Sequence, residues 1–181
     1  MEQIKILFFV LSSFFGIENG RIAADKTTIT VYPESKEIEI IQEKLFTVIQ
    51  SEKDSILTIK EWNKLQQEKN NSWSDELNRF PVKSLSLNPI KNTIQPHLIL
   101  KYTTEEDLQI LGIWHNKKKN LFSINHIPQQ NINTNDGTLD GNFWFFDGNN
   151  KFSFTIEPFQ HMPEKYLKFK KSLEELLTEK K

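Results

Sequence analysis

The clearest pattern of apolar and polar positions lies within residues 136–159. Two apolar runs, 143–146 and 152–156, flank the turn-forming residues 147–150, which read Asp-Gly-Asn-Asn. Asp-Gly and Asn tolerate the positive φ of a tight turn, so the pattern predicts a β-hairpin with this turn at its tip. Aromatic side chains fall on both faces of the first run, which predicts a strand that is covered on both sides.

A second hairpin is predicted near the start of the chain. Residues 28–32 and 37–40 alternate between apolar and polar side chains, with a turn between them. The alternation directs Ile29, Val31, Ile38 and Ile40 inward. Further strands are predicted at 82–87, 97–102, 113–115 and 121–127.

Helical periodicity appears in two segments. Ile56, Ile59, Trp62 and Leu65 recur at three-residue spacing, which predicts a helix over 55–69. From Pro163 onward the spacing predicts a C-terminal helix, whose apolar stripe consists of Tyr166, Phe169, Leu173, Leu176 and Leu177. The predicted fold class is therefore α+β: an antiparallel, twisted sheet of about six to eight strands with two main helices, one of them C-terminal. A partly closed barrel is the alternative.

The first 24 residues have the composition of a secretory signal peptide. One Lys precedes an uncharged apolar run from Ile6 to Ile17, and Ala23 and Ala24 provide a small-residue cleavage site. The run is shorter than the roughly 20 apolar residues of a spanning helix. We therefore expect a leader over 1–24, a single α+β domain over 25–181, export to the periplasm or the medium, and no transmembrane segment after leader removal. A buried N-terminal strand or helix is the alternative for the apolar run.

Net charge limits the classes of partner, and cysteine content limits the means of stabilisation. The formal net charge is −1, so no overall positive field favours a nucleic acid, and no nucleic-acid partner is expected. The chain contains no cysteine, so packing rather than disulfides must stabilise it.

Motifs for catalysis and for metal binding are missing from the sequence. The four histidines, at 97, 115, 126 and 161, include no H-E-x-x-H pair, and the Asn-rich loop before Asp140 departs from calcium-loop spacing. There is no nucleophile elbow, no cysteine and no glycine-rich phosphate loop. We therefore assign no catalytic residue, no metal ligand and no cofactor, and the sequence favours a non-enzymatic role.

The aromatic residues are the remaining candidates for a functional site. Trp114, Trp144 and His126 are the predicted ligand-binding residues, because ring-lined concavities commonly hold small apolar or sugar-like ligands. The leading hypothesis is an exported, non-catalytic ligand-binding or protein-interaction domain of the bacterial envelope, whose partner is such a ligand or an envelope protein. The alternative is a hydrolase or lyase that uses His115, His126 and Asp136 as acid, base or metal groups.

Overall fold

β-Branched residues at alternating positions form the first hairpin of the computed structural model, which describes residues 11–17, 19–68, 71–87, 89–90 and 93–179. β1 (Ala23–Tyr32) pairs antiparallel with β2 (Glu37–Val48). The four side chains predicted to point inward from this hairpin, Ile29, Val31, Ile38 and Ile40, are fully buried. Each such burial contributes about 1.5–3 kcal/mol to the folded state.

Ten further strands and three α-helices lie within the described residues. The remaining strands are β3 (Val82–Ser86), β4 (Pro89–Ile90), β5 (Thr93–Ile94), β6 (His97–Lys101), β7 (Ile113–Asn116), β8 (Leu121–Asn125), β9 (Gly137–Asp140), β10 (Phe143–Asp147), β11 (Phe152–Ile156) and β12 (Lys170–Ser172). The helices are α1 (Glu52–Glu68), α2 (Glu164–Leu167) and α3 (Leu173–Glu179). Short 3₁₀ helices cover Leu11–Phe15, Asp75–Arg79, Glu105–Leu111 and Pro128–Gln130.

Within the described residues the strands form two main antiparallel sheets, and no closed barrel is present. The larger sheet has the order β11-β1-β2-β6-β3, and β12 pairs with the end of β2. The smaller sheet has the order β7-β8-β10-β9, and β4 pairs with β5 alone. The predicted α+β class with antiparallel sheets is confirmed, although the strands are divided between sheets rather than joined in one.

The predicted hairpin over residues 143–156 is wrong in its pairing. β10 pairs with β8 and β9, whereas β11 pairs with β1 in the other sheet. The turn between them therefore carries the chain from one sheet to the other. Asp147 stabilises this turn, because its carboxylate accepts hydrogen bonds from the backbone N–H of Asn149 and from the amide of Asn150. Such Asp-based turn chemistry is compatible with either kind of connection.

Phenylalanine rings join the two sheets. Phe146 on β10 stacks on Phe152 of β11 with ring centroids 4.4 Å apart, and Phe122 on β8 lies 5.2 Å from the same ring. Phe146, Phe152 and Phe122 are each 1% exposed. The inner faces of the two sheets therefore share one aromatic core.

Helix α1 contacts the core through a face that differs from the predicted one. Trp62 and Leu65 are buried as expected, but Ile56 is exposed. Ser55 and Thr58 take the buried positions instead, and Thr58 hydrogen-bonds Thr47 of β2. A hydroxyl pair can be buried in this way because each group satisfies the other.

Residues before β1 are part of this packing. Leu11, Phe14 and Ile22 are at most 1% exposed and belong to the core cluster. Glu61 of α1 accepts a 2.7 Å hydrogen bond from the backbone N–H of Arg21, whose guanidinium pairs with Asp54 at 2.8 Å. The predicted leader over 1–24 stays a prediction, and its first ten residues, together with Glu18, lie outside the described residues. The predicted helix end at Asn70 also lies outside them.

The C-terminal segment is less regular than predicted. A helix is present there, as expected, but β12 separates α2 from α3. The predicted apolar stripe is divided accordingly: Leu173 and Leu176 on α3 are buried, whereas Tyr166 on α2 is exposed. None of the helices within the described residues has the length and apolar character needed to span a bilayer.

Gly137 provides a test of the packing between β9 and β10. A Cβ at this position would lie 2.6 Å from a ring carbon of Phe146, which is itself buried in the core. We expect Gly137→Ala to lower the free energy of unfolding by about 1–3 kcal/mol, because the buried ring must shift. Urea denaturation measures the effect, and Thr138→Ala, at an exposed position of the same strand, is the control. Equal stability of the two variants would contradict this packing.

Candidate ligand-binding face

Strand register places the aromatic residues of the smaller sheet on its two opposite faces. Side chains of directly paired residues point to the same face, and successive residues of a strand alternate. Ile124 pairs with Trp144, and the next row brings Trp114, Ser123 and Phe145 together. Trp144 therefore points to the inner face with Phe146, whereas Trp114 points to the outer face.

The three predicted ligand-binding residues consequently do not form one site. Trp144 and His126 are in contact: the indole Nε1–H donates to Nδ1 of His126 at 3.3 Å, and their rings meet edge to face. This hydrogen bond leaves the imidazole proton on Nε2. Trp114 lies on the other side of the sheet and cannot share a ligand with them.

The outer face of the smaller sheet carries three partly exposed rings, Trp114, Phe143 and Phe145. Phe143 is 42% exposed, Trp114 and Phe145 are half-buried, and the two phenylalanine rings lie 6.2 Å apart. Two rows of directly paired residues cross the strands on this face. One row consists of Trp114, Ser123, Phe145 and Thr138, and the other of Asn125, Phe143 and Asp140. We call these seven residues the outer aromatic face.

Rings and small polar side chains alternate on the outer aromatic face. Ser123 separates Trp114 from Phe145, so the Cα atoms of these two ring-bearing residues are two strand spacings, or about 10 Å, apart. Phe143 lies between Asn125 and Asp140 in the adjacent row. Because all the rings stand on paired strands, the sheet fixes the backbone positions from which they project.

The charged side chain of the outer aromatic face is a carboxylate, and a second carboxylate lies in the adjacent row. Asp140 belongs to the face, and Asp147 follows in the next outward-pointing row beside Leu121. The backbone N–H of Asn149 and the side-chain amides of Asn149 and Asn150 hold the pKa of Asp147 below its usual value, so this carboxylate stays ionised at neutral pH. Lys117, in the turn after β7, is paired with Glu106 at 2.6 Å, and this hydrogen bond lowers the pKa of Glu106 to about 2.

The residues of the alternative catalytic hypothesis lie at separate places. His115 stacks on Phe122 and contacts the amide oxygen of Asn120 at 3.0 Å. Asp136 accepts the backbone N–H of Ser153 and precedes β9, which is three strand spacings, or about 14 Å, from the strand of His115.

His126 follows the opposite end of β8, four residues beyond Phe122, or about 13 Å along the strand. The three groups therefore do not converge on one cleft. The described residues contain no group of three or more His, Cys, Asp or Glu side chains placed to hold a metal ion.

The sequence pattern indicates the rings of this face but not their polar neighbours. Phe143 and Phe145 were recognised as part of an aromatic run, whereas Ser123, Asn125 and Thr138 carried no signal of their own. Alternation in residues 121–125 gives the outward direction of Ser123 and Asn125, but only the pairing with β10 brings them beside the rings.

Comparisons of the chain with protein-family models, with curated proteins and with solved structures found no match.

Proposed function

We propose that the protein is a non-catalytic binding domain that holds a small apolar or sugar-like ligand, or an envelope protein, on the outer aromatic face. The observation that carries the proposal is the partial exposure of three rings, Trp114, Phe143 and Phe145, on one rigid sheet surface. Partly exposed rings grouped on one surface are typical of binding surfaces.

Export to the bacterial envelope is the second part of the proposal. Its support is the composition of residues 1–24, with a short charged start, an apolar run and small residues at the end. A domain exported in this way would meet its ligand or partner outside the cytoplasm.

Native mass spectrometry of the protein isolated from its own host tests the binding part. We expect the wild-type chain to carry an additional bound mass, and we expect the double variant Trp114→Ala/Phe143→Ala to lose it. Tyr166→Ala is the matched control, because Tyr166 is an aromatic residue with 40% exposure on α2, away from the face. A wild-type chain without bound mass, or a double variant that retains it, would overturn the proposal.

The mass of the chain in the same spectra tests the export part. Leader removal predicts a mature chain that begins at Asp25, whereas a chain that retains residues 1–24 would overturn the assignment of the leader.

A further inference from the structure

We infer that the ligand of the outer aromatic face is a neutral saccharide chain; this inference rests on the proposed binding function and specifies its ligand. A sugar ring has an apolar C–H face and a rim of hydroxyl groups, so its site must offer aromatic surface and hydrogen-bonding groups side by side. The face has this arrangement, with Ser123 between Trp114 and Phe145, and with Phe143 between Asn125 and Asp140.

The polar groups suit hydroxyl groups better than other partners. Asn125 offers both donors and acceptors, Ser123 and Thr138 offer hydroxyl groups, and Asp140 offers acceptors for hydroxyl protons. A purely apolar ligand would leave these groups without partners, which costs binding free energy. The alternation of rings and polar groups therefore argues against a purely apolar ligand.

Charge distinguishes a neutral ligand from an anionic one. The seven residues of the face include one carboxylate and no lysine or arginine, and the adjacent Asp147 is also ionised. An anionic saccharide would be repelled by both carboxylates, whereas a neutral one pays no such cost. A cationic peptide would be attracted by the same carboxylates, so a cationic probe is needed to distinguish it from a neutral saccharide.

The spacing of the rings indicates a chain rather than a single sugar. Phe143 and Phe145 have ring centroids 6.2 Å apart, and the strand of Trp114 lies a further two strand spacings, or about 10 Å, from that of Phe145. One sugar unit covers one ring, so only a ligand of several units contacts all three rings at once. Linked units gain from this arrangement because the second contact is intramolecular.

Isothermal titration of the protein as isolated from its own host tests the inference with defined probes. The neutral probes are cellohexaose, maltohexaose and chitohexaose, with glucose and N-acetylglucosamine as single-unit comparisons. Hexagalacturonic acid is the anionic probe and hexalysine the cationic one. We expect at least one neutral hexasaccharide to bind about tenfold or more tightly than its single unit, hexagalacturonic acid and hexalysine.

Variants then locate the bound chain. We expect Trp114→Ala and Phe143→Ala each to weaken binding of that hexasaccharide about tenfold, and Asn125→Ala to weaken it by a smaller factor. Tyr166→Ala should leave the affinity unchanged, since it removes an equally exposed ring elsewhere. Thermal unfolding midpoints equal to that of the wild type show that the weakened variants are folded.

The outcomes separate this inference from the proposed function. Tighter binding of hexalysine than of every neutral probe overturns the saccharide assignment in favour of a cationic ligand. Binding that Trp114→Ala and Phe143→Ala leave unchanged overturns the assignment to this face. When no hexasaccharide binds but the double variant still loses its bound mass, the saccharide inference fails and the binding function stands. When no hexasaccharide binds and the double variant loses no bound mass, the saccharide inference and the binding function both fail.

Discussion

In the chain that retains residues 1–24, the double variant Leu11→Ala/Phe14→Ala is expected to lose more than about 5 kcal/mol of unfolding free energy. Both side chains are at most 1% exposed and belong to the same core cluster as the strands. Truncation of a buried Leu costs about 2–5 kcal/mol and that of a buried Phe about 3–5 kcal/mol. A typical domain is stable by only about 5–15 kcal/mol, so the variant should be largely unfolded at moderate temperature.

Urea denaturation followed by far-ultraviolet circular dichroism measures this loss. Asn19→Gly is the control in the same segment, because Asn19 is exposed and its φ of 57° suits glycine. The control should retain wild-type stability within about 0.5 kcal/mol. A loss below about 1 kcal/mol for the double variant would contradict the packing of residues 11–15 and would leave them dispensable to the domain.

Phe152→Ala is expected to lower the free energy of unfolding by about 3–5 kcal/mol. The ring of Phe152 contacts Phe122 and Phe146 of the smaller sheet, while its own strand pairs with β1 of the larger sheet. Its removal therefore opens a cavity between the two sheets rather than within one of them. The same denaturation experiment gives the value.

Phe143→Ala is the matched control for Phe152→Ala. It removes the same side chain from a position that is 42% exposed, so less than about 1 kcal/mol should be lost. Similar losses for the two variants would contradict the placement of β10 and β11 in different sheets with shared inner faces. A large difference supports the two-layer arrangement.

Local sequence patterns predicted which segments form strands and turns better than they predicted which strands pair with each other. Ile29, Val31, Ile38 and Ile40 are buried as the alternation of their strands required, because a period of two fixes the facing of a strand. The turn at 147–150 was also recognised. Its Asp and Asn side chains bond within the turn, so they carry no information about which strands pair beyond it.

The hairpin that the sequence pattern did not predict lies at a second tight turn. The true hairpin of this region joins β9 to β10 through Gly141 and Asn142, and Gly141 has a φ of 57°. The sequence holds an Asp-Gly pair before each of the two turns, at 140–141 and at 147–148. Local chemistry does not distinguish them, and the turn at 147–150 is the one followed by a strand that pairs in the other sheet while its Phe152 stacks on Phe146.

The candidate site was predicted in part. Trp114, Trp144 and His126 were predicted from their ring chemistry, which does not show on which face of a sheet each ring lies. Two of them do meet, because His126 and Trp144 lie at the same end of paired strands. Trp114 was separated from them by the register of β7 and β8, which no single-strand pattern contains.

The position of Ala24 in the fold limits when a leader ending at this residue could be removed. Ala23 and Ala24 pair with Phe46 and Leu45 of β2, and Ala24 is only 1% exposed. A peptidase needs the scissile segment free and extended in its own cleft, and a strand hydrogen-bonded within a sheet is not offered in that form. If the bond between Ala24 and Asp25 is cut, as the predicted leader requires, the cut must therefore come before β1 pairs with β2.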